Sequence, residues 1–214
     1  MILYLHGFAS GPSSTKARAI AGRFAQLGVG VEVPDLTPGA DGFERSTPAS
    51  MLAIAEEVLA SAPGPHAVVG SSLGGWLATL AAARNGSVER LVLLAPAFRL
   101  HQRWSARAGA KDLARWRETG SIEVFHHASA RNRQIPWAFF EDAERWPAFP
   151  EVKVPSLVIT GRRDDTVPLE DVEAWVARTP PARLVVVDDV HELTASLDRI
   201  FEEARAFLHP MTGV

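Results

Sequence analysis

An α/β architecture is what this sequence predicts: about six strands in one mostly parallel sheet, with helices on both faces. Short apolar runs alternate with stretches of helical period, the pattern left by successive strand–helix units. The chain has 214 residues, which suits one ordinary core of this kind and leaves little for a second. Its longest uncharged stretch, Ala67 to Ala83, holds Gly70, Ser71, Ser72, Gly74 and Gly75 at its centre. Such a cluster suits a buried strand turning sharply into a buried helix, whereas it would break a lipid-facing helix, so no membrane span is expected.

In chain order, strands are expected at 2–5, 29–33, 66–69, 90–94, 156–160 and 183–187. Between the first two, Ala17, Ile20, Ala21, Phe24 and Leu27 recur every three or four residues and define one helix face. Thr47 and Pro48 supply a capping hydroxyl and a first-turn proline for the next helix, which buries Met51, Leu52, Ala55, Val58 and Leu59. Trp76, Leu77, Leu80 and Ala81 carry a helix out of the glycine cluster. The last helix repeats the pattern with Leu197, Ile200, Phe201, Ala204, Phe207 and Leu208.

The regularity fails between Ala97 and Pro150. About fifty residues join two strands there that a crossover of a dozen or more could connect. Residues 97–150 therefore read as a helical cap inserted into a single domain spanning 1–214, with helical stretches near 106–118 and 138–145. The insertion holds Trp104, Trp116, Trp137 and Trp146, and from Arg99 to Arg133 basic residues outnumber acids by eight to three. A solvated helix face over a satellite core is the plainer reading; contact with an anionic or aromatic substrate is the functional one.

Composition removes several function classes. Lysine and arginine number 22 against 25 acids, a formal charge of −3 that argues against a nucleic-acid partner. With no cysteine, a disulfide framework, a thiolate zinc site, an iron–sulfur cluster and a cysteine nucleophile are excluded. The first residues show neither a basic n-region nor a small-residue cleavage site, so a cytoplasmic enzyme is expected. No phosphate-binding loop, His-Glu-x-x-His helix or calcium loop appears, and Gly28 and Gly30 lack the rest of a dinucleotide fingerprint, so no cofactor is expected.

The chemistry centres on Gly70-x-Ser72-x-Gly74. An apolar run precedes it and a helical run follows, the strand, sharp turn and helix that expose a serine hydroxyl. The turn opens a helix, so the Leu73 amide and the helix N-terminus point at charge developing on a bound carbonyl oxygen. A serine hydroxyl is a weak nucleophile at neutral pH and needs a base held in the right tautomer by a third group. Of seven histidines, His191 follows the strand ending near Val187 and lies on the same carboxyl edge of the sheet as Ser72. Asp164 and Asp165 both follow the strand at 156–160 and both satisfy the spacing for the orienting acid. Asp188 and Asp189 read as turn residues.

With these residues in place the chain resembles the α/β-hydrolase superfamily over nearly its whole length, in the order Ser72, Asp164, His191. The family's acid is the first aspartate of Gly-x-x-Asp-x-x-Val-Pro, which implies Asp164. Its second oxyanion donor follows the first strand, and Leu5-His6-Gly7-Phe8 implies the Phe8 amide. The opening from His6 to Lys16 is similar to the small YqiA-type esterases. The two antiparallel strands that usually precede this point are missing, hence the expected six strands. His6 is expected to brace its loop and Ser13, Ser14 and Thr15 to cap a helix. The resemblance implies a serine hydrolase that cleaves carboxylic esters through an acyl-enzyme, acting on a small-molecule ester or thioester. The alternatives are an acyl thioesterase and a catalytically idle, hydrolase-like ligand-binding protein.

Overall fold

Alternation along the first strand divides the core in two. In the computed structural model, which describes residues 1–214, β1 (Ile2–Leu5) buries all four side chains. Leu3 and Leu5 enter one apolar cluster, while Ile2 and Tyr4 enter the other. Period-two side-chain direction forces this split, and both faces of a parallel sheet must then be covered. Helices α2 (Pro48–Ala60), α3 (Leu73–Arg84) and α6 (Leu169–Arg178) supply the first cluster, with Met51, Trp76 and Trp175 among its largest side chains. Helices α1 (Thr15–Gln26) and α7 (Leu197–Thr212) close the second, where Phe24 meets Phe201 edge-on at 5.2 Å.

The sheet has six strands, all parallel, in the order β2-β1-β3-β4-β7-β8, with β2 at Val31–Glu32, β3 at His66–Ser71, β4 at Val88–Leu94, β7 at Ser156–Gly161 and β8 at Ala182–Val187. The register sets Leu5 beside Gly70 and Ser71 beside Leu94, so the carboxyl ends of β1, β3 and β4 form one rim. Thr47 caps α2 by accepting from the Ser50 amide at 3.1 Å while Ser50 Oγ accepts from the Thr47 amide at 2.9 Å, with Pro48 following. The uncharged stretch from Ala67 to Ala83 divides into β3 and α3, and no helix is long and apolar enough to cross a membrane.

Some elements differ from expectation. The edge strand β2 shrinks from 29–33 to two residues between Gly28, at φ +77°, and Pro34, neither of which suits continued pairing. Leu27 is 41% exposed because it lies past the last turn of α1. Between β4 and β7 the two expected helices are present: α4 (Leu100–Thr119), kinked at Gly109, extends the one near 106–118 toward its start, and α5 (Trp137–Glu144) coincides with the one near 138–145. An antiparallel hairpin, β5 (Ser121–His126) with β6 (Arg131–Pro136), lies between them where no strand was expected. This whole segment is tied down by side chains. Trp76 Nε1 donates to Pro147 O at 3.0 Å, Trp175 Nε1 to Pro150 O at 2.9 Å, and the Asp142 carboxylate accepts from the Ala49 amide at the start of α2. Inside it Trp104 stacks on Phe139 at 5.3 Å and Trp116 is buried.

Candidate active site

Ser72 stands between β3 and α3 with φ 53° and ψ −116°, a conformation rarely adopted by residues with a side chain. The strain persists because the backbone around it is clamped: its amide donates to Leu94 O at 2.9 Å, and its carbonyl accepts from the amides of Gly75, Trp76 and Ala97. The turn is too tight for a side chain at Gly70, where a Cβ would lie 2.7 Å from Gly75 Cα. The hydroxyl is thereby pushed out over the carboxyl rim of the sheet.

Two loops on the same rim bring the other groups. His191 follows β8 and Asp164 follows β7, and the side chains join in one relay: Ser72 Oγ lies 2.9 Å from His191 Nε2, and His191 Nδ1 lies 2.8 Å from Asp164 Oδ2. The carboxylate requires the proton on Nδ1, which leaves Nε2 free to accept from the hydroxyl. Asp164 has no exposed side-chain surface, and its other oxygen accepts from the amides of Thr166 at 2.9 Å and Val167 at 2.7 Å. Burial pushes its carboxyl up, but the His191 hydrogen bond and the Val167 amide outweigh that and hold it below the ordinary aspartate range. Asp165 stays exposed, with its carboxylate accepting from Thr166 Oγ1, so the two candidate acids are separated by geometry.

The loop after β1 faces this relay. A Cβ at Gly7 would lie 3.5 Å from Ser72 Cβ, and neither the Phe8 nor the Leu73 amide donates to any group of the protein. His6, 2% exposed, braces the loop: Nδ1 donates to Gly7 O at 3.0 Å and Nε2 accepts from the Leu36 amide at 3.2 Å. Burial pushes its pKa down, which keeps the ring in that neutral tautomer. Ser14 caps α1 by accepting from the Ala17 amide. Asp188 pairs with Arg163 at 2.9 Å, and Asp189 is buried, accepting from the Val190 amide at 2.8 Å; neither contacts the imidazole.

Lys16, one residue into α1, is a group that sequence reasoning left unassigned. Its Nζ lies 3.5 Å from His191 O, near Glu192, Asp164 and Asp189. Burial outweighs those carboxylates and pushes the ammonium down to about 8. Folding therefore costs most where the lysine is charged in both states, below pH 8. As pH rises from there toward the ordinary lysine value, the unfolded chain binds more protons than the folded one, so stability rises. The penalty is at most roughly 3 kcal/mol. Lys16→Met is accordingly expected to raise Tm by several degrees at pH 7, with the gain shrinking by pH 10; thermal unfolding at both pH values checks it, and a gain that grows with pH contradicts it.

Above the relay lies a cleft of about 1460 Å³ between the rim and the segment joining β4 to β7. Phe8, Trp104, Trp116 and Phe125 give it aromatic walls, and Arg103, Arg107 and Arg115 reach it from α4. His127 lines it too, whereas His126 is buried against Phe43 at 4.6 Å. Spacing alone could not show that α4 turns these residues toward Ser72. No group of three or more His, Asp or Glu side chains in the chain is arranged to hold a metal ion.

The fold is that of the α/β hydrolases. Alpha/beta hydrolase domain-containing protein 10 from mouse superposes with a TM-score of 0.83 at 21% identity, covering 98% of this chain and 90% of the mouse one. Est1E from Butyrivibrio proteoclasticus, solved with ferulic acid bound, gives 0.81 at 19% identity, covering 100% and 89%. The esterase PF2001 of Pyrococcus furiosus gives 0.62 at 18% identity, covering 98% and 80%. At these identities the likeness is one of fold. No curated protein matches the sequence. One family model takes in β1 through most of α7, with Ser72, Asp164 and His191 all inside the matched residues 1–209, and by that match the chain belongs to the uncharacterised protein family UPF0227.

Proposed function

We propose that the protein is a serine hydrolase that cleaves carboxylic esters through an acyl-enzyme. The observation that carries this reading is the unbroken relay from Asp164 through His191 to Ser72, at 2.8 and 2.9 Å. Ser72 Oγ attacks the ester carbonyl as its proton passes to His191 Nε2. The Oγ–C bond forms, the carbonyl π pair moves onto oxygen, and the unpaired Phe8 and Leu73 amides receive that charge, each donor worth about 3 kcal/mol in comparable sites. Collapse of the intermediate breaks the C–O bond to the alcohol, which leaves with the proton from His191. Water then repeats the sequence, releasing the acid and restoring the hydroxyl. Asp164 holds the tautomer and stabilises the imidazolium at each stage.

Residues 97–150 act as the cap of this single catalytic domain and shape the substrate's surroundings. The esterase of similar fold, and the ferulic acid held by Est1E, support an ester as the bond attacked. Incubation with a fluorophosphonate is expected to add one phosphonyl group, located by mass spectrometry on the peptide bearing Ser72, and to stop p-nitrophenyl butyrate turnover in step. Turnover without that adduct sinks the assignment. Comparing acyl-CoA with simple esters separates thioesterase from carboxylesterase activity, and tight ester binding without product or adduct identifies an idle site.

A further inference from the structure

The Arg103 guanidinium is held in place from one side only. Its Nη1 donates to Asp171 Oδ2 at 3.1 Å, while Arg99 Nη1 donates to Asp171 Oδ1 at 2.9 Å. Two guanidinium groups thus share one nearly buried carboxylate, leaving the trio with a net positive charge. The remaining Arg103 donors, Nε and Nη2, have no acceptor in the protein, and the side chain lines the same cleft as Ser72 and His191. Burial pushes the guanidinium below the ordinary arginine value, and the Asp171 carboxylate, with Asp164 after it, offsets part of that cost.

Other charges face the cleft. Asp112, Glu123, Asp165 and Glu192 line it, as do Arg107 and Arg115, but all six are exposed. Their fields are weakened by water and salt. Arg103, with its side chain only 20% exposed, is the charged cleft group most withdrawn from solvent, where an ion pair is strongest. A guanidinium anchored at one nitrogen and free at two others is preorganised for a planar oxyanion, since its geometry matches a carboxylate's two oxygens and little side-chain freedom remains to be lost.

We infer that the ester substrate of this site carries a carboxylate, which Arg103 binds within the cleft while Ser72 attacks the ester carbonyl. The inference rests on the hydrolase reading above and adds the substrate class. The charge could sit on the acyl or on the alcohol side, and matched esters distinguish the two. One pair is p-nitrophenyl hexanoate and the p-nitrophenyl monoester of adipic acid; the other is a butyrate ester of 4-hydroxybenzoate and of its methyl ester.

In one of the pairs the anionic ester is expected to be preferred at least tenfold in kcat/KM, mainly through KM, with the preference falling as salt rises. Arg103→Gln is expected to bring that ratio near one and Arg103→Lys to keep part of it. Arg117→Gln, an exposed basic position outside the cleft, should keep all of it. Fluorophosphonate labelling of each variant reports that its site is assembled. Turnover of neutral esters with no anionic preference in either pair overturns the inference and leaves the esterase reading standing. A preference that survives Arg103→Gln in labelled protein also overturns it. Absence of turnover and labelling with every ester overturns both readings.

Discussion

Ser72→Ala is expected to reduce ester turnover to the background rate, a loss of about a million-fold by analogy with nucleophile removal in other relays of this kind. The same variant should take up no fluorophosphonate. The effect is large because the three groups act as a unit: without Oγ, His191 has no proton to take and Asp164 orients a base with no task. The substitution is also a clean one. Alanine tolerates φ 53° no better than serine does, and the strained turn is held by backbone hydrogen bonds that the change leaves in place. Thermal unfolding should therefore stay close to that of the parent, which separates loss of chemistry from loss of fold. A folded Ser72→Ala protein that still turns over p-nitrophenyl butyrate would show that another group performs the attack.

The site was easier to read than its surroundings, for reasons of physics. The inner strands β1, β3 and β7 of the central sheet are buried on both faces and appear as nearly continuous apolar runs. At the edge, β8 is only half-buried but keeps such a run from Leu184 to Val187, and the residues after these runs fall on one rim. That is why Ser72, Asp164 and His191 could be singled out although they are far apart in sequence. The choice between Asp164 and Asp165 was different in kind: it depends on which carboxylate the Thr166 and Val167 amides capture, and only the family pattern spoke to it. The hairpin β5–β6 left little trace. Arg131-Asn-Arg-Gln-Ile-Pro has one buried apolar side chain, Ile135, and although Ile122 and Val124 of β5 alternate with the exposed Glu123, the apolar Phe125 falls on the exposed side, so the period-two pattern is short and interrupted. Its turn, ending at Ala130 with φ 51°, lacks the Asn-Gly or Asp-Gly that would have announced it. The same irregular segment carries α4, and with it the orientation of Arg103 toward the cleft, which depends on the distant Asp171 rather than on any local spacing.

Gly74→Ala is the other change expected to have a large effect, and it acts where fold and chemistry meet. Position 74 lies in the first turn of α3, where an alanine is ordinarily favoured over glycine by about 1 kcal/mol. Here the added Cβ would lie 2.5 Å from Leu5 C and 2.6 Å from His6 O, and closer still to Leu5 O. All three are backbone atoms, so no side chain can swing aside to make room. Nor can β1 retreat readily, because Leu3 and Leu5 are completely buried and Leu5 is in register with Gly70. Overpacking of this kind costs roughly 1–3 kcal/mol and more where the neighbours are rigid, which outweighs the gain in helix propensity. Relief can come only by parting the start of α3 from the end of β1. Those two segments carry the Leu73 and Phe8 amides, so any separation that restores the fold moves apart the donors proposed to hold one oxyanion. Gly74→Ala is thus expected to lower Tm by many degrees and, in whatever protein remains folded, to lower kcat far more than it raises KM. Gly86→Ala, where a Cβ meets nothing within 4 Å, should change neither. A Gly74→Ala protein with parental Tm and kcat would mean that the close approach of helix to strand constrains neither the fold nor the oxyanion site.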